Sequence, residues 1–420
     1  MDAKEWEAVV GGWEGFEIER VERLLEGTPP VPTMRFYLRA QLDYARRCSR
    51  CGEPVIEVHD YTERRIRDLP VFEAETWIVF PHARVACPRC GPTVARVSWL
   101  DKHQRVTRRL AEKIARLAGV LPLKQVAAEC GVSWDVVKRV HCRALAHQLG
   151  PITAASLAGV RQLAIDEFAI QKGHRYATVI VEPTTKRVIW LALDRERASL
   201  RPFFELLGPD GCARIEAVAM DMWGPFRDEV LAHCPHAAIV YDLFHVVAKY
   251  GREVVDRVRV DETNRIARAN GPNDRPTRAA RRVIKGTRWL LLKNRANITR
   301  RADRVRLKGL LAANRALFIT YVLKDDLKQL WRFRYPKAAL RWWRSWYRRA
   351  CTSRLLPLVK FARLLAGNLH GILAHCRHPL HTGLVEGINN KIKVLKRMAY
   401  GFRDDAYFFL RIRAAFPGNP

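Results

Sequence analysis

Seven side chains in this sequence have types and places that could do chemistry. Four are cysteines in two C-x-x-C pairs, Cys48 with Cys51 and Cys87 with Cys90. Each pair sits in a knuckle-like turn, CSRCG or CPRCG, and such a turn lets two thiolates converge on one ion. Four thiolates make a closed tetrahedral set, so the chemistry they point to is structural zinc. The other six of the ten cysteines are scattered singly, which suits a cytosolic metal framework better than disulfides. The other three are carboxylates. Asp166 and Asp221 each close an apolar run, LAID and VAMD. Carboxylate oxygens are hard ligands for magnesium or manganese, and two such ions can flank the attacking and leaving oxygens of a phosphodiester. A single Asp at a strand end is more often a turn cap, but a pair at matched places is less easily dismissed. The third is Glu386, in EGINNKIKVLKRMAYGF. There Ile388, Ile392, Leu395 and Ala399 make an apolar stripe beside a polar one of Glu386, Asn390, Lys393 and Arg397, of which Asn390, Lys393 and Arg397 are candidate contacts to the phosphates of DNA. Spacing alone leaves Glu386 either facing a site or unremarkable on a solvated helix.

These carboxylates need a scaffold, and residues 151–250 read as its first part. VRQLAIDE, RYATVIVE and RVIWLAL are three strand-like runs with short turns between them, a meander. IEAVAMD (215–221) and AAIVYD (237–242) read as two buried strands separated by a helix. Three antiparallel strands followed by strand, helix and strand is the order of the RNase H-like fold of nucleases, integrases and transposases. In that order the first and fourth strands are neighbours, so Asp166 and Asp221 can share a metal. Glu167 follows Asp166, and strand alternation lets only one of them face it.

Upstream, residues 1–30 hold eight acids and three bases and are expected to form an acidic helical lead, ended by Gly-Thr-Pro-Pro at 27–30. Residues 31–103, rich in turns and strand-like runs, enclose the cysteine pairs as a zinc-binding module. Residues 104–150 change to helical period at Val106, Leu110, Ile114 and Leu117. Pro122 begins a short helix ending near Cys130, Gly131 suits a turn, and Ser133 suits the N-cap of a helix from Trp134. This is a helix-turn-helix pattern, although a plain helical hairpin would read similarly. Its second helix would read DNA, with Asp135, Lys138 and Arg139 facing the groove.

Asp221 and Glu386 are 165 residues apart, too far for a bare core, so residues 251–380 form an insertion and 381–420 return to the catalytic domain. The insertion is predicted helical. It holds 32 Lys/Arg against eight Asp/Glu, most of the chain's net charge of +31. Basic residues interleaved with tryptophans suit phosphates and unstacked bases, and Trp342 and Trp343 are the candidate contacts. The alternative for these rings is helical core. No secretory start and no bilayer-length apolar run is present, so the expected address is cytoplasmic and no membrane partner is expected.

The string E-G-x-N-N-x-I-K-x-L-K-R-x-A-Y-G-F resembles the C-terminal motif of insertion-sequence transposases of the ISL-three family. AIDEFAIQKGHRYATVIVE around Asp166, AMDMWGPF around Asp221 and IVYDLFHVV around Asp242 match that family in order, as do the cysteine pairs and the helix-turn-helix. The resemblance covers nearly the whole chain. It implies a DDE-type bacterial enzyme, nucleoid-associated when bound to DNA, with Asp166, Asp221 and Glu386 as its magnesium-binding triad. It also implies that the insertion contacts transposon ends. Asp242 and His245 are expected to support the site rather than ligate the metal, with His245 near DNA. The expected function is binding of terminal inverted repeats, then metal-dependent cleavage and strand transfer by a dimer or larger assembly. Two rivals are an RNase H-like nuclease or resolvase, and a transposase-derived DNA-binding regulator.

Overall fold

The computed structural model describes residues 2–171, 173, 175–270, 274–380 and 383–419, leaving aside the side chains of 270 and 383–385. The first two residues of the C-terminal segment, 381–382, therefore lie outside the described residues. The chain forms two compact units, Met1–Gly150 with Leu395–Leu410, and Pro151–Val394 with Arg411–Pro420.

The first unit opens with α1 (Ala3–Val10), started by a capping box between Asp2 and Glu5. The helical lead expected over residues 1–30 stops there. β1 (Phe16–Glu26) is a strand, paired antiparallel with β2 (Val31–Ala40), and residues 27–30 are its hairpin turn. Phe16 and Ile18 alternate inward to meet Phe36 and Phe80, and a register shift after Ile18 then blurs the two-residue period. Burial against neighbouring strands, rather than local propensity, decides this segment. β3 (Arg47–Cys48), β4 (Val58–Val71), β5 (Ala74–Cys87) and β6 (Gly91–Arg96) complete a sheet of order β1-β2-β5-β6-β3, with β4 paired to β5.

Three helices follow, α2 (Arg108–Val120), α3 (Leu123–Cys130) and α4 (Trp134–Leu149). Gly131 adopts φ +58°, the left-handed turn between α3 and α4, and the Ser133 hydroxyl caps α4 by accepting from the Val136 N–H. Leu110, Ile114, Val126 and Val137 form the core of this helix-turn-helix. Buried Asp68 of β4 ties it to the sheet, accepting hydrogen bonds from Trp13, Thr107 and Arg109.

In the second unit β7 (Gln162–Gln171), β8 (Arg175–Glu182) and β9 (Arg187–Leu193) form the antiparallel meander. α5 (Arg197–Ala213), β10 (Ala217–Met220), α6 (Gly224–His233), β11 (Ala238–Tyr241) and α7 (Leu243–Tyr250) follow. The strand order is β11-β10-β7-β8-β9, with β10 parallel to both β7 and β11, which is the RNase H-like arrangement. The segment after α7 is helical as expected, with α8 (Asp256–Asn270), α9 (Arg275–Gly286), α10 (Arg288–Leu292) and α11 (Arg301–Ala313). It continues through α12 (Arg315–Lys328), α13 (Pro336–Thr352), α14 (Leu356–Gly367) and α15 (Leu369–Leu373). Its Leu323, Trp346, Phe361 and Ile372 share one buried cluster with Val218, Ile239 and Tyr241 of the sheet. Gly371 permits this close approach, because a Cβ there would lie 2.5 Å from the Tyr241 ring. α16 (Gly383–Met398) and α17 (Asp405–Ala415) end the chain, and Ile388, Ile392 and Leu395 of the expected apolar stripe are buried.

Candidate metal centres

Cys48, Cys51, Cys87 and Cys90 bring their sulfurs within 4.8 Å of one another. Cys51 and Cys87 are 3.6 Å apart, close to the roughly 3.8 Å that tetrahedral zinc with about 2.3 Å bonds requires. The long β4–β5 hairpin lies between the two knuckles and returns the second to the first. A hydrogen bond toward Cys51 leads the effects that push the Cys90 thiol up to about 12, a crowding of sulfurs that a shared cation relieves. The donor set fits zinc with no position left for substrate.

The carboxylates are assembled differently. β7 and β10 pair through Ala164 and Ala219, so two residues further on Asp166 and Asp221 come level. β10 and β11 pair through Met220 and Tyr241, so the next residues, Asp221 and Asp242, come level too. Three aspartates therefore stand in one row across adjacent parallel strands. Asp242 caps α7, accepting from the Phe244 N–H at 2.8 Å. One turn into that helix His245 reaches back to 3.6 Å from Asp166, 3.5 Å from Asp221 and 3.7 Å from Asp242. Burial alone would lower its pKa, but the bond to Asp221 and the surrounding carboxylates raise it to about 9. Burial raises the Asp166 pKa; for Asp221 burial is outweighed by His245, and its pKa falls. His245 thus sits in the middle of the row rather than beside it. Glu167 lies 3.7 Å from Arg195, and burial with the nearby charges of Asp166 and Asp221 raises its pKa.

From α16 the Asn389 amide donates to Asp166 at 2.7 Å, while its own Oδ1 is buried without a hydrogen-bond partner. Glu386 is exposed one turn earlier, about 4.5 Å along the helix, and lines a cleft with Asp242. Among the described residues, the four cysteines are the cluster whose ligand atoms all lie within 4.8 Å; Asp166, Asp221 and Glu386, the expected triad, do not form such a cluster. Sequence reasoning missed Asn389. The signal was present, because Asn389 lies three residues after Glu386 and shares its face as closely as Asn390 does.

The expected DNA contacts divide. Arg139, Asn390, Lys393 and Arg397 are exposed. Lys138 is paired with Asp404 at 2.6 Å. Trp343 is 4% exposed and stacked on Trp346, so it belongs to the core and cannot stack on a base. Trp342 is half-buried and donates its indole N–H to the Asp326 carbonyl at 2.9 Å. The core alternative holds for this pair, because the insertion buries one face of α13 against α12 and α14. No helix among the described residues is long and apolar enough to cross a membrane.

A sheet of this order, preceded by a helix-turn-helix and a four-cysteine cluster, is the architecture of a DNA transposase. The family model described as Transposase, of the ISL3 group, matches residues 163–412. The helix-turn-helix domain of transposase family ISL3 matches residues 95–140, and the zinc-finger of transposase IS204/IS1001/IS1096/IS1165 matches residues 45–91. The chain belongs to the ISL3 family of transposases. It is similar to the transposase for insertion sequence element IS1001 of Bordetella parapertussis, 47% identical over 420 residues, covering 100% of this chain and 99% of that one. It is also similar to the transposase for insertion sequence element IS1557 of Mycobacterium tuberculosis, 32% identical over 375 residues, 85% of this chain and 83% of the relative.

Proposed function

We propose that this transposase binds the terminal inverted repeats of its insertion sequence and carries out DNA cleavage and strand transfer at Asp166, Asp221 and Glu386. The observation that carries this reading is the row of carboxylates, with Asp166 in the middle of β7 rather than at its expected end and Asp221 just past β10, approached by α16 through Asn389. The unpartnered Asn389 oxygen beside Asp166 and the hard oxygen donors suit a divalent cation. Asp166, Asp221 and Glu386 would hold magnesium or manganese, which when bound supplies Lewis acidity for activating water and for charge on the leaving oxygen. The chain's own residues set the geometry. Asn389 orients the Asp166 carboxylate, and Asp242 fixes the start of α7 and thereby His245. Exposed Asn390 and Lys393 of α16 meet phosphate near the site, and exposed Arg139 serves the reading helix. Zinc acts structurally, by holding the two knuckles. Two ends must be cut in concert, so the working form is a dimer or larger assembly on DNA, in the cytoplasm at the nucleoid.

The test is strand transfer with end DNA and magnesium, comparing Asp166→Asn, Asp221→Asn and Glu386→Gln with the parent chain. Loss of cleavage and joining in each, with end binding kept, is the expected result. Wild-type activity in all three overturns the assignment, and cleavage without joining by the parent chain favours a nuclease. Retained activity in Asp242→Asn is expected if Asp242 serves α7 rather than the cation.

A further inference from the structure

A cleft of about 1040 Å³ opens beside Glu386 and Asp242 and runs toward Trp331 and Phe333. That is slightly above the roughly 300–1,000 Å³ that encloses small organic ligands. Phe244 lines it, 54% exposed, although it follows Asp242 by only two residues. The hydrogen bond from its N–H to Asp242 fixes its backbone at the site, and its ring stands edge-on to His245, centroids 5.5 Å apart. A large aromatic face in water beside Asp242 and Glu386 contributes little to the core. Another lining residue, Trp331, is held in place: it donates to the Tyr241 carbonyl and stacks on His375. Arg332, Arg334 and Arg377 line the same cleft and are exposed.

Aromatic walls with a cationic border suit one kind of occupant. A paired duplex presents phosphates outward and hides the faces of its bases. An unstacked base offers a π-face to the walls while its phosphates meet the arginines. We infer that this cleft receives one base extruded from the DNA next to the scissile phosphate, with Phe244 as the surface on which it stacks. This rests on the reading that Asp166, Asp221 and Glu386 cut DNA at the element's ends. Trp342 and Trp343 are then the wrong tryptophans for the task, and Phe244 and Trp331 the right aromatics.

The test uses the full chain in an Asp221→Asn background, which keeps the DNA uncut. End duplexes carry a single mispair walked across the positions around the scissile phosphate. Extrusion costs a few kcal/mol in paired DNA and less at a mispair, so one position should bind about tenfold tighter. Removing the base at that position should erase the gain. Phe244→Ala should erase it as well, and Phe244→Trp should keep it, which separates stacking from misfolding. A uniform response along the duplex, or a gain untouched by Phe244→Ala, overturns the inference while leaving the cleavage reading intact. A chain with no preference for end DNA over random duplex overturns both.

Discussion

The cysteine cluster and the proposed catalytic carboxylates of this transposase are built on opposite principles. The cysteines of the first unit come as two local turns, each carrying its own pair, and one hairpin suffices to join them. The carboxylates of the second come singly, from β7, from the residue after β10 and from α16, across more than two hundred residues. The first set is closed and sulfur-rich, so its ion can organise the chain but leaves no room for substrate. The second is open and oxygen-rich, with an exposed Glu386 and a cleft beside it. A structural ion should therefore govern folding of its module, and a catalytic one should govern rate with little effect on folding.

The largest expected effect is on the sulfur side. Structural zinc contributes on the order of 10 kcal/mol in small metal domains. Chelation, or Cys48→Ser with Cys87→Ser, should unfold the ribbon and abolish end binding. Thermal melting with zinc analysis checks this, and an unchanged melt after complete zinc loss would break the contrast. Next is Asp221→Asn, where losing a ligand to the catalytic ions should cost about 4 kcal/mol in the barrier, on the order of a thousandfold in strand transfer. Melting temperature and end affinity should stay near those of the parent, and a variant that unfolds instead would place this site in the structural class. Smaller is Asn389→Ala, which frees the Asp166 carboxylate. A loss of roughly 10–100-fold is expected, with more magnesium needed for half-maximal activity. If Asn389 only packs α16, stability falls and the magnesium dependence does not move.

The smallest effect concerns a buried charge outside both regions. Lys324 donates to the carbonyls of Leu291, Leu292 and Lys293, and burial lowers its pKa to about 8 from 10.5. Between those values the unfolded chain binds more protons than the folded one. Stability from this group therefore rises with pH from about 8 to 10.5 and is flat below. Denaturation of Lys324→Met across that window should lack this rise, and an identical slope in both chains would show that Lys324 titrates normally.

Much of both regions was legible in the residues. C-x-x-C spacing is a local signal, and so are the Gly131 turn, the Ser133 cap and the apolar stripe of α16. Strand order likewise placed Asp166 and Asp221 on neighbouring strands. The helical reading of residues 16–26 failed because pairing with β2 decided that segment. The choice of Trp342 and Trp343 failed because composition cannot say which face of a helix is buried, and α13 turns Trp343 and Trp346 inward.

By itself, then, the sequence determined the parts: a sulfur cluster, a helix-turn-helix, a meander with its following strands, and a C-terminal helix carrying Glu386. Each is written in spacings of a few residues, where backbone geometry alone constrains the outcome. Tertiary structure alone decided the joins. Strand register aligned Asp242 with Asp166 and Asp221, α7 turned His245 back among them, and α16 brought Asn389 to Asp166. Such contacts link residues up to 223 positions apart, and they exist only when burial of the shared core holds both partners in place.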